Sequence, residues 1–242
     1  MMRKGRGHVW MMASLLAVFL AGCCDDQNPL GVRSGGAGGP APVPLATAGG
    51  FVVLGGSTVT NTGLTVVTGD LGVSPGPSVT GFPPGIVTGA THAGNATAAT
   101  AQTDLTVAYN DAAGRTTGAV TVAGDLTGLT LAPGLYKSTS SLAISGAVTL
   151  TGLGDPNATF IFQVASTLTT GPGSQVILSG GAKSSNIIWQ VGSSATLGTN
   201  SVFKGTIMAD QSITLNTGAK LDGRALARIG AVTLDTNAIA NP

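Results

Sequence analysis

The sequence predicts a mainly β fold, a β-solenoid with one helix, on three observations. The first is a phrase that returns along the body: Thr, Leu, a small or polar residue, Thr, then Gly or Asn. It reads Thr167-Leu168-Thr169-Thr170-Gly171, Thr196-Leu197-Gly198-Thr199-Asn200, Thr214-Leu215-Asn216-Thr217-Gly218 and Thr233-Leu234-Asp235-Thr236-Asn237. The last three begin 18 and 19 residues apart (196 to 214, 214 to 233). A unit of about 20 residues, each a short β-type run closed by a turn residue, is the pattern of stacked coils. The second observation is composition. With 38 Gly in 242 residues, 9% charged and 4% aromatic, the chain is too apolar and β-branched for disorder, and its glycines suit corners that need positive φ. The third is one helical stripe, Ala98, Ala101, Leu105, Ala108, Tyr109 and Ala112, inside an otherwise β-patterned chain. A loop-rich β-sandwich would share the composition but not the near-constant spacing.

Side chains alternate along a strand, so Leu168, Leu197, Leu215 and Leu234 are expected to point inward and the flanking threonines outward. Stacking would then set outward threonines in ranks roughly 4.7–4.9 Å apart. The result is an uncharged grid of methyls and hydroxyls.

Reading from the N-terminus, residues 1–22 are expected to form a signal peptide. Arg3, Lys4 and Arg6 are its basic region, and Val9 to Leu20 is mostly apolar but short for a membrane span. Leu20-Ala21-Gly22-Cys23 resembles a bacterial lipobox, which makes Cys23 the expected lipidation site; an ordinary secretory signal is the alternative. Cys23 and Cys24 are the chain's two cysteines, so the folded body is expected to hold no disulfide. Residues 23–44, with Gly35-Gly36-Ala37-Gly38-Gly39-Pro40 and the prolines at 42 and 44, are expected to be a flexible linker, an ordered arm being the alternative.

The body is placed at 45–242. Phe51 to Leu54, Ser57 to Gly63 and Thr65 to Asp70 supply the first coil material. Pro75 to Gly85 is dense in Pro and Gly and is expected to cap one end of the stack, where open strand edges invite aggregation. The helix is expected over about 95–113, with Asp111 and Arg115 four apart and Gly114 as its stop. Strand-and-turn units then run from Thr117 to Ile239.

Charge and chemistry exclude several functions. A formal net charge of +1 gives no electrostatic case for nucleic acid or an anionic membrane. His92 is the only histidine beyond the signal, and the aspartates scatter beside turn residues. Asp222 with Arg224 and Arg228 is the one carboxylate–base cluster, expected to be a structural ion pair rather than a hydrolase centre. No enzyme, metal or cofactor is expected.

Several long phrases resemble one family. They are Val59-Thr60-Asn61-Thr62-Gly63, Gly69-Asp70-Leu71-Gly72-Val73-Ser74-Pro75-Gly76, Ala108-Tyr109-Asn110-Asp111-Ala112-Ala113-Gly114-Arg115 and Pro133-Gly134-Leu135-Tyr136. Further along come Gly154-Asp155-Pro156-Asn157-Ala158-Thr159-Phe160-Ile161-Phe162-Gln163, Trp189-Gln190-Val191-Gly192-Ser193 and Gly223-Arg224-Ala225-Leu226-Ala227. Over roughly 45–242 the chain is similar to the microbial ice-binding (antifreeze) proteins with a discontinuous β-solenoid. The resemblance implies a right-handed, triangular solenoid with a long helix packed alongside, and ice binding through one flat face. The lipobox departs from the family's freely secreted pattern.

Threonine suits such a face, since its hydroxyl bonds a water, its methyl discourages disordered hydration, and β-branching holds χ1. The candidate ice-binding residues are Thr58, Thr60, Thr167, Thr169, Thr196, Thr214, Asn216 and Thr233, with Gly198 and Asp235 interrupting the series. The expected partner is an ice crystal surface, met by a monomer that touches a membrane only through its N-terminal lipid. The expected location is the outer membrane or cell surface, with secretion as the alternative. A cell-surface adhesin, a structural solenoid and a glycan-binding module, the last using Trp189 and a few Tyr and Phe, remain open as other readings.

Overall fold

The inward aliphatic residues do stack, and they build a three-sided coil. A computed structural model describes residues 38–242; the expected signal peptide, Cys23 and the expected linker up to residue 37 lie outside the described residues. All strand pairs are parallel. One side is an eight-stranded sheet, ordered Ser78–Thr80, Thr58–Thr62, Val232–Asp235, Ile213–Leu215, Ala195–Leu197, Leu168–Thr170, Leu142–Ile144, Gly124–Asp125. A 15-stranded sheet wraps the other two sides. We call these the threonine side, the helix-covered side and the mixed side.

The order of coils in space is not their order in sequence. Coils at 51–68 and 70–87 form one end, and helix α1 (Ala96–Gly114) then carries the chain towards the other. Nineteen helical residues span about 28 Å. From Ala119 the chain coils back until its last turn docks on its first, pairing Val53 with Ala225, Val59 with Val232 and Val66 with Ala238.

The repeat length also varies for a visible reason. From Thr169 to Thr196 is 27 residues, whereas Thr196 to Thr214 is 18. The longer coils carry loops at 152–159 and 180–186 on the edge between the mixed and helix-covered sides. In the shorter coils that edge shrinks to one bend within a continuous strand, Val202–Ala209 or Lys220–Ala227. Glycine is required there: Gly205 has φ 105, and a Cβ on Gly223 would sit 1.9 Å from the Gly205 carbonyl oxygen.

Core residues follow the coil size. Tyr136, Phe162 and Trp189 stack in register inside the wide coils, Phe162 and Trp189 with ring centroids 3.9 Å apart. The same rank continues into the narrow coils as Ile207, Ala225 and Val53. Trp189 Nε1 donates to the Lys204 carbonyl at 3.0 Å, satisfying its one polar group.

Helix α1 starts on an Asn95 cap, whose side chain accepts from the Ala98 N–H at 3.0 Å. The stripe that the sequence marked is fully internal: Ala98, Ala101, Leu105, Ala108, Tyr109 and Ala112 are all buried. It packs on Leu54, Leu135, Ile161, Ile188, Met208 and Leu226 of the sheet. The four alanines let helix and sheet approach closely, and Arg115 pairs with Asp111 at 2.7 Å as its spacing predicts.

Three expectations are corrected. Gly114 is the last helical residue, but it takes no left-handed cap, and Arg115 follows with extended backbone. The helix end is closed instead by Gln163, whose Nε2 donates to the carbonyls of Ala112, Ala113 and Arg115 at 2.7, 3.2 and 2.7 Å. The Pro/Gly stretch does end the stack, yet it keeps a strand, Ser78–Thr80, paired with Thr58–Thr62. Residues 38–44 also pack on the body, with Val43 buried and the Arg115 guanidinium donating to the carbonyls of Ala41 and Pro42. The body thus takes in part of the segment expected to be linker.

Replacing Gln163 with Ala removes the donor to three helix-end carbonyls. Stability is expected to fall by about 1–3 kcal/mol, read as a lower urea midpoint with an unchanged m-value. An unchanged midpoint would show that water serves the helix end equally well.

Candidate functional site

The threonine side is set in register by what lies beneath it. Val59, Val232, Ile213, Ala195, Leu168 and Leu142 form one inward rank, and Leu234, Leu215, Leu197 and Ile144 belong to the next; all are buried. Parallel pairing without register shifts holds each strand level with its neighbours. The outward residues between these two ranks therefore fall into line.

That line is Thr80, Thr60, Thr233, Thr214, Thr196, Thr169, Ala143 and Asp125, each the direct partner of the next. Its first six members are threonines. All lie on the solvent side, Thr80, Thr169 and Thr233 exposed and the others half-buried against one another. The Thr60 hydroxyl lies 3.4 Å from that of Thr233, bridging neighbouring coils.

Five sequence-predicted residues, Thr60, Thr169, Thr196, Thr214 and Thr233, share this central rank. Thr58 is paired with Ser78 along one margin. Thr167 stands on the same margin, donating its hydroxyl to Ser141 Oγ at 2.8 Å, and Ser194 and Ser212 continue that border. Asn216 follows its strand by one residue and marks the opposite margin.

The alignment of Thr167 with Thr196 is corrected. Leu168 pairs with Ala195 and Thr169 with Thr196, so the phrase at 167 is displaced by two residues. Side-chain parity survives a shift of two, which is why Leu168 still points inward.

Sequence reasoning missed Thr80 because it sits among prolines. Its signal was present, since Ser78-Val79-Thr80 repeats Thr58-Val59-Thr60 twenty positions later. It also passed over the second threonine of each phrase. Thr199, Thr217 and Thr236 are exposed at the corner beside the face. Thr217 Oγ1 donates to Asp235 Oδ2 at 2.5 Å and Thr236 Oγ1 to Asp235 Oδ1 at 3.0 Å. The carboxylate that breaks the neutral series is thus held by two hydroxyls.

The other charge on this side is at its end. Partial desolvation pushes the pKa of Asp125 up, but hydrogen bonds from Ser145 and Thr127 outweigh it and hold the carboxyl down to about 2. The remaining charges lie elsewhere. Lys204 pairs with Asp222 at 3.3 Å on the mixed side. Arg228 pairs with Asp210 at 2.6 Å and lies over the Tyr109 ring of α1, 4.5 Å from its centroid. Arg224 is sequestered on the helix-covered side, donating to the Gly49 carbonyl at 3.0 Å, and burial lowers its pKa. The expected cluster of Asp222, Arg224 and Arg228 is therefore split. A one-residue bend at Gly223 sends its members to different sides.

Trp189 is wholly buried, and Tyr109 and Tyr136 nearly so, so the aromatic platforms that a glycan module would need face the interior. His92 contacts the Phe51 ring edge-on and lies 3.9 Å from Asp70. Among the described residues, no three of His, Cys, Asp and Glu gather at one point. No helix there is long and apolar enough to cross a membrane.

Comparison with known proteins bears directly on this geometry. Residues 53–240 match the family model described as Ice-binding-like. An ice-binding protein from Nostoc sp. (strain HG1) is 52% identical over 198 residues, covering 81% of this chain and 73% of that protein. One from Colwellia sp. is 37% identical over 224 residues, covering 85% and 86%. The crystal structure of an ice-binding protein from an Antarctic biological consortium superposes with a TM-score of 0.84 at 56% identity, covering 86% of this chain and 94% of that one. The ice-binding protein of the Antarctic ascomycete Antarctomyces psychrotrophicus gives 0.80 at 39%, covering 83% and 98%. With a threonine-lined parallel solenoid, a helix along one side and relatives this similar over most of its length, the chain belongs to the ice-binding-like family.

Proposed function

We propose that this protein binds ice through its threonine side and acts without catalysis, restraining ice growth or recrystallisation. The observation that carries the reading is the central rank: six threonines from six coils, in register on one parallel sheet. Ice offers no charge to grip. A binder needs a rigid area whose hydration fits a lattice, and an in-register stack supplies flatness that a twisted sheet lacks. Each threonine gives one hydroxyl to a water and one methyl that excludes mobile water. A single contact is weak, but contacts summed over a face that loses little entropy on docking give lasting adsorption.

Thr58, Thr60, Thr167, Thr169, Thr196, Thr214, Asn216 and Thr233 are the proposed contacts, joined by Thr80. The relatives named for ice binding support this reading, as does the near absence of charge on this side alone. Asp125 and Ala143 would end the productive area at the coil of Thr169.

Thr214→Tyr places a ring in the middle of the rank. Thermal hysteresis is expected to fall to a small fraction of the parent's and ice shaping to be lost, with the circular dichroism spectrum unchanged. Thr149→Tyr on the mixed side is expected to leave both intact; the opposite pattern would move the site to that side.

Asp125→Thr removes a fixed charge from the end of the line, beyond Ala143, so hysteresis is expected to rise at any pH near neutrality. The stability that the Asp125 carboxylate gains from its hydrogen bonds is present above its ordinary value of 3.8. It is lost as pH falls through about 2. Acid unfolding of Asp125→Asn against the parent measures this, and identical profiles below pH 4 would contradict it.

A further inference from the structure

We infer that the protein is a connector, able to hold ice on its threonine side while anchored to a lipid bilayer from the opposite edge. This rests on the ice-binding reading above and adds the anchor and its direction. The first described residues are pinned at one place. The Gly38 carbonyl accepts from the Thr159 N–H at 3.0 Å, and a Cβ on Gly39 would lie 2.5 Å from the Thr159 carbonyl oxygen and 2.9 Å from Pro133. Beyond them, Arg115 holds the carbonyls of Ala41 and Pro42, Val43 is buried, Thr47 donates its backbone N–H to Asp104 at 3.0 Å, and Arg224 holds Gly49.

Thr159 and Pro133 belong to the turns that join the mixed side to the helix-covered side. In a three-sided stack that edge is the one facing away from the third side, here the threonine side. Segment 38–50 and α1 together cover the helix-covered side, while the mixed side carries Lys204, Lys220 and Asp222. The one open, nearly uncharged side thus points away from where the chain enters the body.

Cys23 precedes Gly38 by 15 residues. Whatever path they take, the edge stays within about 50 Å of that cysteine, comparable to the stack itself at about 38 Å for eight gaps of strand spacing. Leu20-Ala21-Gly22-Cys23 supplies the attachment. The Cys23 thiol loses its proton and forms a thioether with the diacylglyceryl group of a phosphatidylglycerol, releasing glycerol phosphate. Water then cleaves the Gly22–Cys23 peptide bond, and the freed amine takes an acyl chain from a second phospholipid, which leaves as its lyso form. Two or more chains give stable rather than transient anchoring.

The test uses the full mature chain made by a bacterium with lipoprotein-processing enzymes, its Cys23 lipid verified by intact mass. The chain is reconstituted into dye-filled phosphatidylethanolamine–phosphatidylglycerol vesicles, which meet a slowly growing ice front. Many copies per vesicle make capture multivalent, so ice is expected to retain about a hundredfold more dye than with chain-free vesicles. The same mature chain carrying Cys23→Ser, exported behind a signal cleaved without lipidation, is expected to enter ice itself and leave the vesicles in the liquid. If that chain enters ice but vesicles bearing the lipidated chain are rejected, the connector is overturned and ice binding stands. If mature protein carries no lipid at Cys23, the anchor is overturned. If neither form enters ice, both readings fall.

Discussion

In-register parallel stacking of coils over a dry aliphatic core is the constraint on which everything else depends. Side-chain parity along each strand sends Leu168, Leu197, Leu215 and Leu234 inward, and burying each is worth about 1.5–3 kcal/mol. That burial fixes which residues face out. A slip of one residue would put threonines in the core and leucines in water. The regularity of the outer surface is thus enforced from inside, and the threonine rank inherits its straightness from the valine and leucine ranks beneath it.

The same constraint explains the discontinuity. A solenoid ends in unpaired strand edges, and this chain makes one end first, crosses along α1, and coils back to meet its own beginning. The last coil is therefore paired on both faces, its strands at 225–240 lying between the 51–68 coil and the 206–222 coil. Helix α1 is more than a bridge: its alanine-rich stripe closes the helix-covered side, and Gln163 ties its end to the sheet. Such sequence-distant pairing predicts slow folding relative to a helical protein of this size.

Much of this was legible in the residues. The inward leucines, the helix with its buried stripe, the Asp111–Arg115 pair and five members of the central rank all follow from periodicities of two, 3.6 and about 20. What was hidden depended on contacts that no period encodes. The loops at 152–159 and 180–186 lengthen some coils, so equal phrases need not be equal in register, and Thr167 fell on the border. Thr80 was masked by prolines that in this place flank a strand rather than forbid one. The helix stop lies in a glutamine 49 residues after Gly114. Asp222 chose Lys204 over Arg224 because a single glycine turns the strand between them.

High-resolution diffraction of the hydration layer tests the central claim most directly. Ordered waters on the threonine side should repeat with the strand spacing, about 4.7–4.9 Å, seated between successive methyls from Thr80 to Thr169. A threonine side whose waters are scattered, while the charged mixed side holds the regular array, would contradict the account.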